Sequence, residues 1–398
     1  MKPPSEGLLE FLSGLDAGQP DKVEKVKATK FSQLGWDDKL FKKWIVNALR
    51  IEDKTTNAML PLGPLLMANR PQAELLFTIL KALDRGGPVR FLVLKSRKVG
   101  VSTIVVELLL AMAMQLKGIT CAILAHTDES SLKLFKIARD SYENLPKDLK
   151  NALPTRYNAQ DRIQFGNKDY EKLKAQDFGH VALIKSQTAA GQYPLTGDTV
   201  RVLHLSECAK YDAVGDHAAQ QRFILSALGA VPKLGPSLVI AESTANGQQG
   251  WFYNEWQRAS KAQADGETTS NWIPLFFSWL EDPACWAPVP HGYDWSRWPA
   301  EDQKTEAMLR DTFFAKPEQL YFRRSQINIE MAGNYELFDQ EYPTTPSGAF
   351  LASGRPAVPR RYIKAMEAMV TDDYRRYTAK VIDSYDSTMT VDVVTERA

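Results

Sequence analysis

FLVLKSRKVGVSTIVVELLLAMAMQL, Phe91 to Leu116, decides how this chain reads. Phe91 to Leu94 are apolar and of strand length, and Lys95 to Gly100 form a polar turn. Val101 to Leu116 then carry apolar residues at helical spacing without a proline. A strand, a cationic turn with a glycine and a helix that starts with hydroxyls make a seat for a polyphosphate. Backbone N–H groups and the helix N-terminus face the anion, and cations neutralise it. The stretch departs from the common GxxxxGK[ST] loop. Val101 stands where that loop has its lysine, ahead of Ser102 and Thr103, and only Gly100 of the two glycines is present. The positive charge comes earlier, at Lys95, Arg97 and Lys98. A lysine at the strand end can bend back over phosphates, and Ser102 can ligate magnesium. By itself the stretch fits a solvated basic turn equally well.

On the upstream side, AELLFTILKAL (Ala73 to Leu83) reads as a helix leading into the central strand. Gln72 stands just before it. An amide donates and accepts together, so it can read the N6 and N7 edge of adenine, although a lone Gln is more often a surface residue. Residues 51–72 are rich in breakers, with Pro61, Gly63, Pro64 and Pro71. Before them, Phe31, Trp36, Phe41 and Trp44 alternate with lysines. The pattern predicts a helical pair packed on the core in preference to a nucleic-acid face.

On the downstream side, Gly118 ends the helix and ITCAILAHT reads as a second strand. Asp128 opens an amphipathic helix with Leu132, Phe135, Ile137 and Tyr142. Buried strands alternating with helices predict an α/β fold with a mainly parallel sheet. Residues 150–199 are less regular, with short strands expected in DRIQFGNKDYEK and HVALIKSQTAAG. VRVLHLSE ends an apolar strand in Ser206 and Glu207. A carboxylate so placed orients water towards a γ-phosphate in phosphate-transfer ATPases; the plainer reading is a strand with a polar end. SLVIAESTANG repeats the arrangement, ending in Glu242, Ser243, Thr244, Asn246 and Gly247. Its small polar groups can sense a phosphate or simply cap a turn. Three strands with polar carboxyl ends are better explained together, since open α/β sheets bind ligands there.

From Gly250 the sequence becomes dense in aromatics and broken by prolines, which predicts a compact, loop-rich subdomain. The tail AKVIDSYDSTMTVDVVTERA predicts a short antiparallel pair. The expected division is 1–85, a helical segment on the adenine side; 86–250, the nucleotide-binding core; 251–365, a lid or linker subdomain; and 366–398, the start of a connection.

At 398 residues, two or three units are expected. Hydrophobic residues make up 44% and charged residues 24%, as in soluble globular chains. With 49 basic and 48 acidic residues the formal charge is +1, which argues against a static nucleic-acid binder but not against a motor that grips through local patches. Cys121, Cys208 and Cys285 have no metal-ligand spacing and form no disulfide framework, as expected of reduced fillers in a cytoplasmic protein. MKPPSEGLLEFLSG lacks the apolar core of a signal peptide, and the run from Ile104 to Leu116 is too short to span a bilayer.

Taken in order, these motifs resemble the large terminase subunits of tailed bacteriophages, the ATPases that drive DNA into empty capsids. KSRKVGVST is similar to the deviant loop of lambda-like terminases, VLHLSE to their second motif and ESTANG to their coupling motif. NWIPLFFSWLEDP and FDQEYPTTPSGAFLASG resemble the stretches that follow the motor core. The resemblance covers roughly residues 50–398. It implies a P-loop NTPase fold of the ASCE type, with ATP and Mg2+ as cofactors. It implies phosphate binding by Lys95 within the loop Ser96, Arg97, Lys98, Gly100, Ser102 and Thr103. Arg97 would be a cis-acting arginine in catalysis, Glu207 the catalytic carboxylate, and Ser102 and Glu207 the metal site. Ser243, Thr244 and Asn246 would couple hydrolysis to movement, and Gln72 would touch adenine. The implied partners are double-stranded DNA, the portal protein, a small terminase subunit and further copies in a ring of five on the portal. The implied location is the host cell cytoplasm, on the procapsid and not in a membrane.

Two departures stand out. Ser206 occupies the place where many such ATPases have aspartate, and TAAGQYPLTGDT lacks the arginine often found before the second motif. A trans-acting arginine is left open among Arg139, Arg156, Arg162 and Arg222. Other readings are a helicase-like DNA-dependent ATPase and a non-hydrolysing scaffold docked on the portal. Lys95→Ala is expected to abolish hydrolysis and spare the fold. Family members usually carry a nuclease domain after the motor. Asp383, Asp386 and Asp392 are read here as a solvated hairpin, and no nuclease activity is expected of residues 1–398.

Overall fold

The computed structural model describes residues 30–53, 56–166, 181–189, 194–195, 197–211, 217–267, 271–352, 378–381 and 391–394. The chain divides into two units, Met1–Gly354 and Arg355–Ala398.

The first unit is built on an eight-stranded sheet. Its strands are β1 (Pro88–Lys95), β2 (Thr120–Ala125), β3 (Thr155–Asn158), β4 (Arg162–Phe165), β5 (Leu183–Thr188), β6 (Val202–Ser206), β7 (Ser237–Ser243) and β8 (Trp272–Phe277). They lie in the order β8-β1-β7-β6-β2-β5-β4-β3. Neighbours from β8 to β5 are parallel, and β4 and β3 add an antiparallel edge. Every residue of β6 and β7 is buried, because helices cover both faces.

The alternation of side chains assigns those faces. Phe91, Val93, Cys121, Ile123, Val202 and Ile240 pack with α1 (Arg70–Arg85), α2 (Val101–Gln115) and α3 (Asp128–Glu143). Leu92, Leu94, Ala122, Leu124, Leu203 and Val239 face the other way, onto α4 (His217–Gly229) and α5 (Gly250–Ala264). Helix α2 is buried along nearly its whole length, including Glu107, which accepts a hydrogen bond from Ser141 Oγ at 2.9 Å. Burial pushes the Glu107 carboxyl well above the usual carboxylate range. Among the described residues no helix is long and apolar enough to cross a membrane.

The expected fold class holds: an α/β sheet, mainly parallel, flanked by helices. The strand that carries the loop, β1, and the strand that leads to Glu207, β6, are separated by one strand, β7. Phe31, Trp36 and Phe41 are buried in the α1–α3 core, as the packing reading expected. The sheet does not stop at residue 250, because Trp272–Phe277 pairs in register with Arg90–Lys95 as its edge. The irregular stretch between 150 and 199 also supplies three strands. Two of them, Arg162–Phe165 and Leu183–Thr188, lie in the segments expected to form strands, while Thr155–Asn158 was not expected, since a half-exposed polar edge strand shows a weaker apolar pattern.

Beyond β8, Trp279, Leu309, Leu320, Ile327, Phe338 and Tyr342 form a separate small core. Two arginines are buried beside it. Arg324 donates from Nε and Nη2 to the Glu306 carboxylate at 2.7 and 2.6 Å, and its guanidinium lies 4.6 Å from the Trp295 ring centre. Arg323 pairs with Asp302 at 2.7 Å. Removing one partner strands the other charge away from water. Glu306→Ala is therefore expected to cost ~3–5 kcal/mol in urea unfolding; a loss under ~1 kcal/mol would place this pair with exposed ones.

In the second unit, Thr378–Val381 pairs antiparallel with Val391–Val394, the pair the tail predicted. Asp392 stands opposite Lys380. Asp383 and Asp386 lie outside the described residues.

Candidate nucleotide site

Lys95 ends β1, and the chain then turns sharply. Lys98 (φ 62°) and Gly100 (φ 85°) are both left-handed, and Gly100 caps the N-terminus of α2. Glycine is required there twice over. A side chain would be strained at that φ, and a Cβ would meet Gln72 Nε2 at 2.0 Å. Gln72 is itself buried, and its Nε2 donates to the Gly100 carbonyl at 2.9 Å. The amide expected to read adenine thus holds the end of the loop. Gly100→Ala is expected to lower stability by about 1–3 kcal/mol from the backbone alone and to weaken nucleotide binding, read by thermal melting and a binding titration. Unchanged binding would show that the loop geometry is not needed.

At the carboxyl ends of β1, β6 and β7 three charged side chains meet. Lys95 Nζ lies 2.6 Å from Glu207 Oε1 and 3.3 Å from Glu242 Oε2. Burial alone would lower the lysine, but the two carboxylates override it and hold the ammonium above its usual range. Burial pushes both carboxyls up, Lys95 pulls both down, and the net shift of Glu207 and Glu242 is downward. Glu207 sits in a left-handed turn just after β6 (φ 53°), which swings its side chain back over the strand ends. Its Oε2 lies 3.2 Å from Lys210 Nζ and accepts from Thr244 N and Oγ1, both at 3.3 Å, and from Ser243 Oγ at 3.4 Å. Asn246 Nδ2 donates to the Ala209 carbonyl two residues beyond Glu207.

Glu242 is wholly buried. Its Oε1 accepts from Ser102 Oγ at 2.7 Å and Ser206 Oγ at 2.6 Å, and it lies 3.2 Å from His204 Nε2. Oε2 makes no hydrogen bond among the described residues and has only the ion-pair contact with Lys95. At the end of β2, burial pushes the His126 imidazole below its usual value, against the opposing pull of Glu207.

The structure thus brings together Lys95, Ser102, Glu207, Ser243 and Thr244. It places the other expected residues differently. Ser96 is buried, and its N–H donates to the Phe277 carbonyl at 2.9 Å. The Arg97 N–H donates to the Glu341 carbonyl at 2.8 Å, and its half-exposed guanidinium lies 3.6 Å from the Glu341 carboxylate. Arg97 is therefore held by the last residue of α6 (Tyr335–Glu341). Lys98 is exposed. Thr103 lines a separate cavity of about 360 Å³ with Arg50, Lys133 and Lys136. Of the open arginines, Arg162 pairs with Asp161 at 3.1 Å and Arg156 lies over the Tyr157 ring. Glu242 was missed as a site residue. An acid inside the apolar run SLVIAE was the available signal, since buried charge needs a partner.

Among the described residues no three His, Cys, Asp or Glu side chains could hold a metal by themselves. The site offers the Ser102 hydroxyl, the Glu207 and Glu242 carboxylates and the Lys95 ammonium that lies between them. That donor set fits a cation that arrives on phosphates, since magnesium is commonly bound through one or two carboxylates plus substrate phosphates.

No family model matches the sequence, and no curated protein matches it. Solved structures similar to it include the large terminase ATPase domain of Thermus phage P74-26, at 16% identity over 59% of this chain and 85% of that one, with a TM-score of 0.35. The large terminase of bacteriophage HK97 matches at 15% identity over 85% of this chain and 61% of that one, TM-score 0.42. The large terminase of the thermophilic bacteriophage D6E, in complex with ADP, matches at 10% over 49% and 42%, TM-score 0.32.

Proposed function

We propose that the chain hydrolyses ATP with magnesium and uses that hydrolysis to drive double-stranded viral DNA into a procapsid, as the ATPase part of a large terminase subunit. One observation carries the reading. Lys95 at the end of the loop strand meets Glu207 from the strand after next, with Ser102 of the following helix tied into the same cluster. Loop, hydroxyl and catalytic carboxylate are the parts that phosphoryl transfer to water needs.

Lys95 binds the phosphates, and Ser102 faces the cation. Magnesium, when bound, neutralises charge on the phosphate oxygens. A triphosphate competes with Glu207 for the Lys95 ammonium. Once that pair loosens, Glu207 orients the attacking water and accepts its proton. Thr244 and Ser243 hold the other oxygen of Glu207, so a change in its partners reaches the segment that leads into α5. Arg97 supplies charge to the transition state after leaving Glu341. The DNA substrate, the portal and small-subunit partners, the ring of five and the place on the procapsid in the host cytoplasm rest on the motif resemblance. With a formal charge of +1, DNA is gripped by local patches, and binding falls as salt rises.

The test is ATP turnover by the purified chain with and without linear double-stranded DNA, over a range of salt. Stimulation by DNA that weakens with salt is expected. No turnover in either condition would overturn the motor reading and favour the scaffold.

A further inference from the structure

The second motif lacks its usual aspartate, and Ser206 stands in that place. The sheet shows where the carboxylate has gone. Ser206 pairs in register with Glu242 on β7, the strand inserted between β6 and the loop strand. The Ser206 hydroxyl points across this pair and donates to Glu242 Oε1 at 2.6 Å. The same oxygen accepts from Ser102 Oγ, the first hydroxyl of α2, at 2.7 Å. Glu242 is fully buried, and its second oxygen makes no hydrogen bond among the described residues. Its one charged partner there is the Lys95 ammonium at 3.3 Å, and a triphosphate that draws Lys95 away leaves this oxygen open to a hydrated cation.

We infer that Glu242, one strand away from the second motif, takes over the part of the missing aspartate: it positions the Ser102 hydroxyl and the hydration shell of the divalent cation that accompanies the nucleotide. This rests on the magnesium–ATP reading above. Ser206 becomes the relay that ties the two strand ends together. Strand pairing explains why the exchange is possible. Neighbouring residues in a parallel sheet lie about 4.8 Å apart, so the longer glutamate on β7 reaches the space that an aspartate on β6 would enter. Glu242 acts through Ser102 and is a positioning residue; Glu207 remains the group next to the attacking water.

The experiment measures the dissociation constant of a fluorescent ATP analogue by anisotropy, in magnesium and in EDTA. The variants are Glu242→Gln, Glu242→Asp and the relocation variant Ser206→Asp/Glu242→Gln, which returns the acid to β6. Wild type should bind more tightly with magnesium. Glu242→Gln should lose roughly 10- to 100-fold in magnesium and little in EDTA, the range for residues that orient metal ligands. The relocation variant should recover magnesium dependence, an effect that a merely structural glutamate would not give. If Glu242→Gln does not fold, Glu242→Asp takes its place, because its shortened carboxylate should reduce magnesium dependence alone. Equal losses in magnesium and EDTA, or a full magnesium effect in Glu242→Gln, would overturn the inference and leave the ATPase reading standing. A wild-type chain that binds no nucleotide in either condition overturns both.

Discussion

Lys95→Ala is expected to stop ATP turnover and to weaken the fold at the same time. The catalytic loss should be ~2.7–4 kcal/mol or more in the transition state, a factor of about 10²–10³, the scale for removing one preorganised donor. The loss of stability follows from the geometry. Lys95 is buried, and it is the cation between Glu207 and Glu242. Without it two carboxylates face each other at the strand ends, and Glu242 has no access to water. Breaking a buried pair in this way costs ~3–5 kcal/mol. The sequence alone led to the expectation that the fold would be spared; the burial of Lys95 between two carboxylates leads to the opposite expectation. Lys95→Ala/Glu242→Gln separates the two effects. It should recover part of the stability and none of the turnover. Near wild-type turnover by Lys95→Ala would mean that another residue holds the phosphates and that the deviant loop is misassigned.

Glu207→Gln should behave differently, binding nucleotide and failing to hydrolyse it. The amide keeps the size of the side chain and can accept from Thr244 N and Oγ1 through its oxygen. It cannot take a proton from water, and general-base catalysis contributes about 10²–10⁴-fold. Binding should hold or tighten, because Lys95 loses one of the two carboxylates that compete with phosphate for it. The fold should survive, since Lys95 keeps Glu242. Equilibrium binding and single-turnover hydrolysis on the same preparation check both halves. Loss of binding together with hydrolysis would make Glu207 a structural anchor of Lys95.

The two variants differ because the two carboxylates differ, and that difference is not local. Glu207 could be found from its place: a strand of apolar residues ends, and an acid follows. Glu242 sits in the same kind of place, yet its motif was read for Ser243, Thr244 and Asn246. Those three do reach Glu207 and the segment after it. Arg97 and Gln72 show the reverse. Each stood at a plausible position, and each is engaged elsewhere, with Glu341 and with the Gly100 carbonyl.

By itself the sequence determined the elements and their class. Apolar runs of strand length, helical spacing after Val101, and polar residues at the strand ends are local properties. They are written in the chain because side-chain periodicity and turn chemistry act over a few residues. Only the tertiary structure decided which strand ends lie side by side. β7 enters between β1 and β6, and this puts Glu242 against Ser102 across 140 residues of chain. Ser96 likewise meets the Glu341 carbonyl across 245. Strand order and register are set by how two apolar faces and their covering helices pack together. No window of sequence contains that packing, and so the partners of Lys95 could not be read from the loop that bears it.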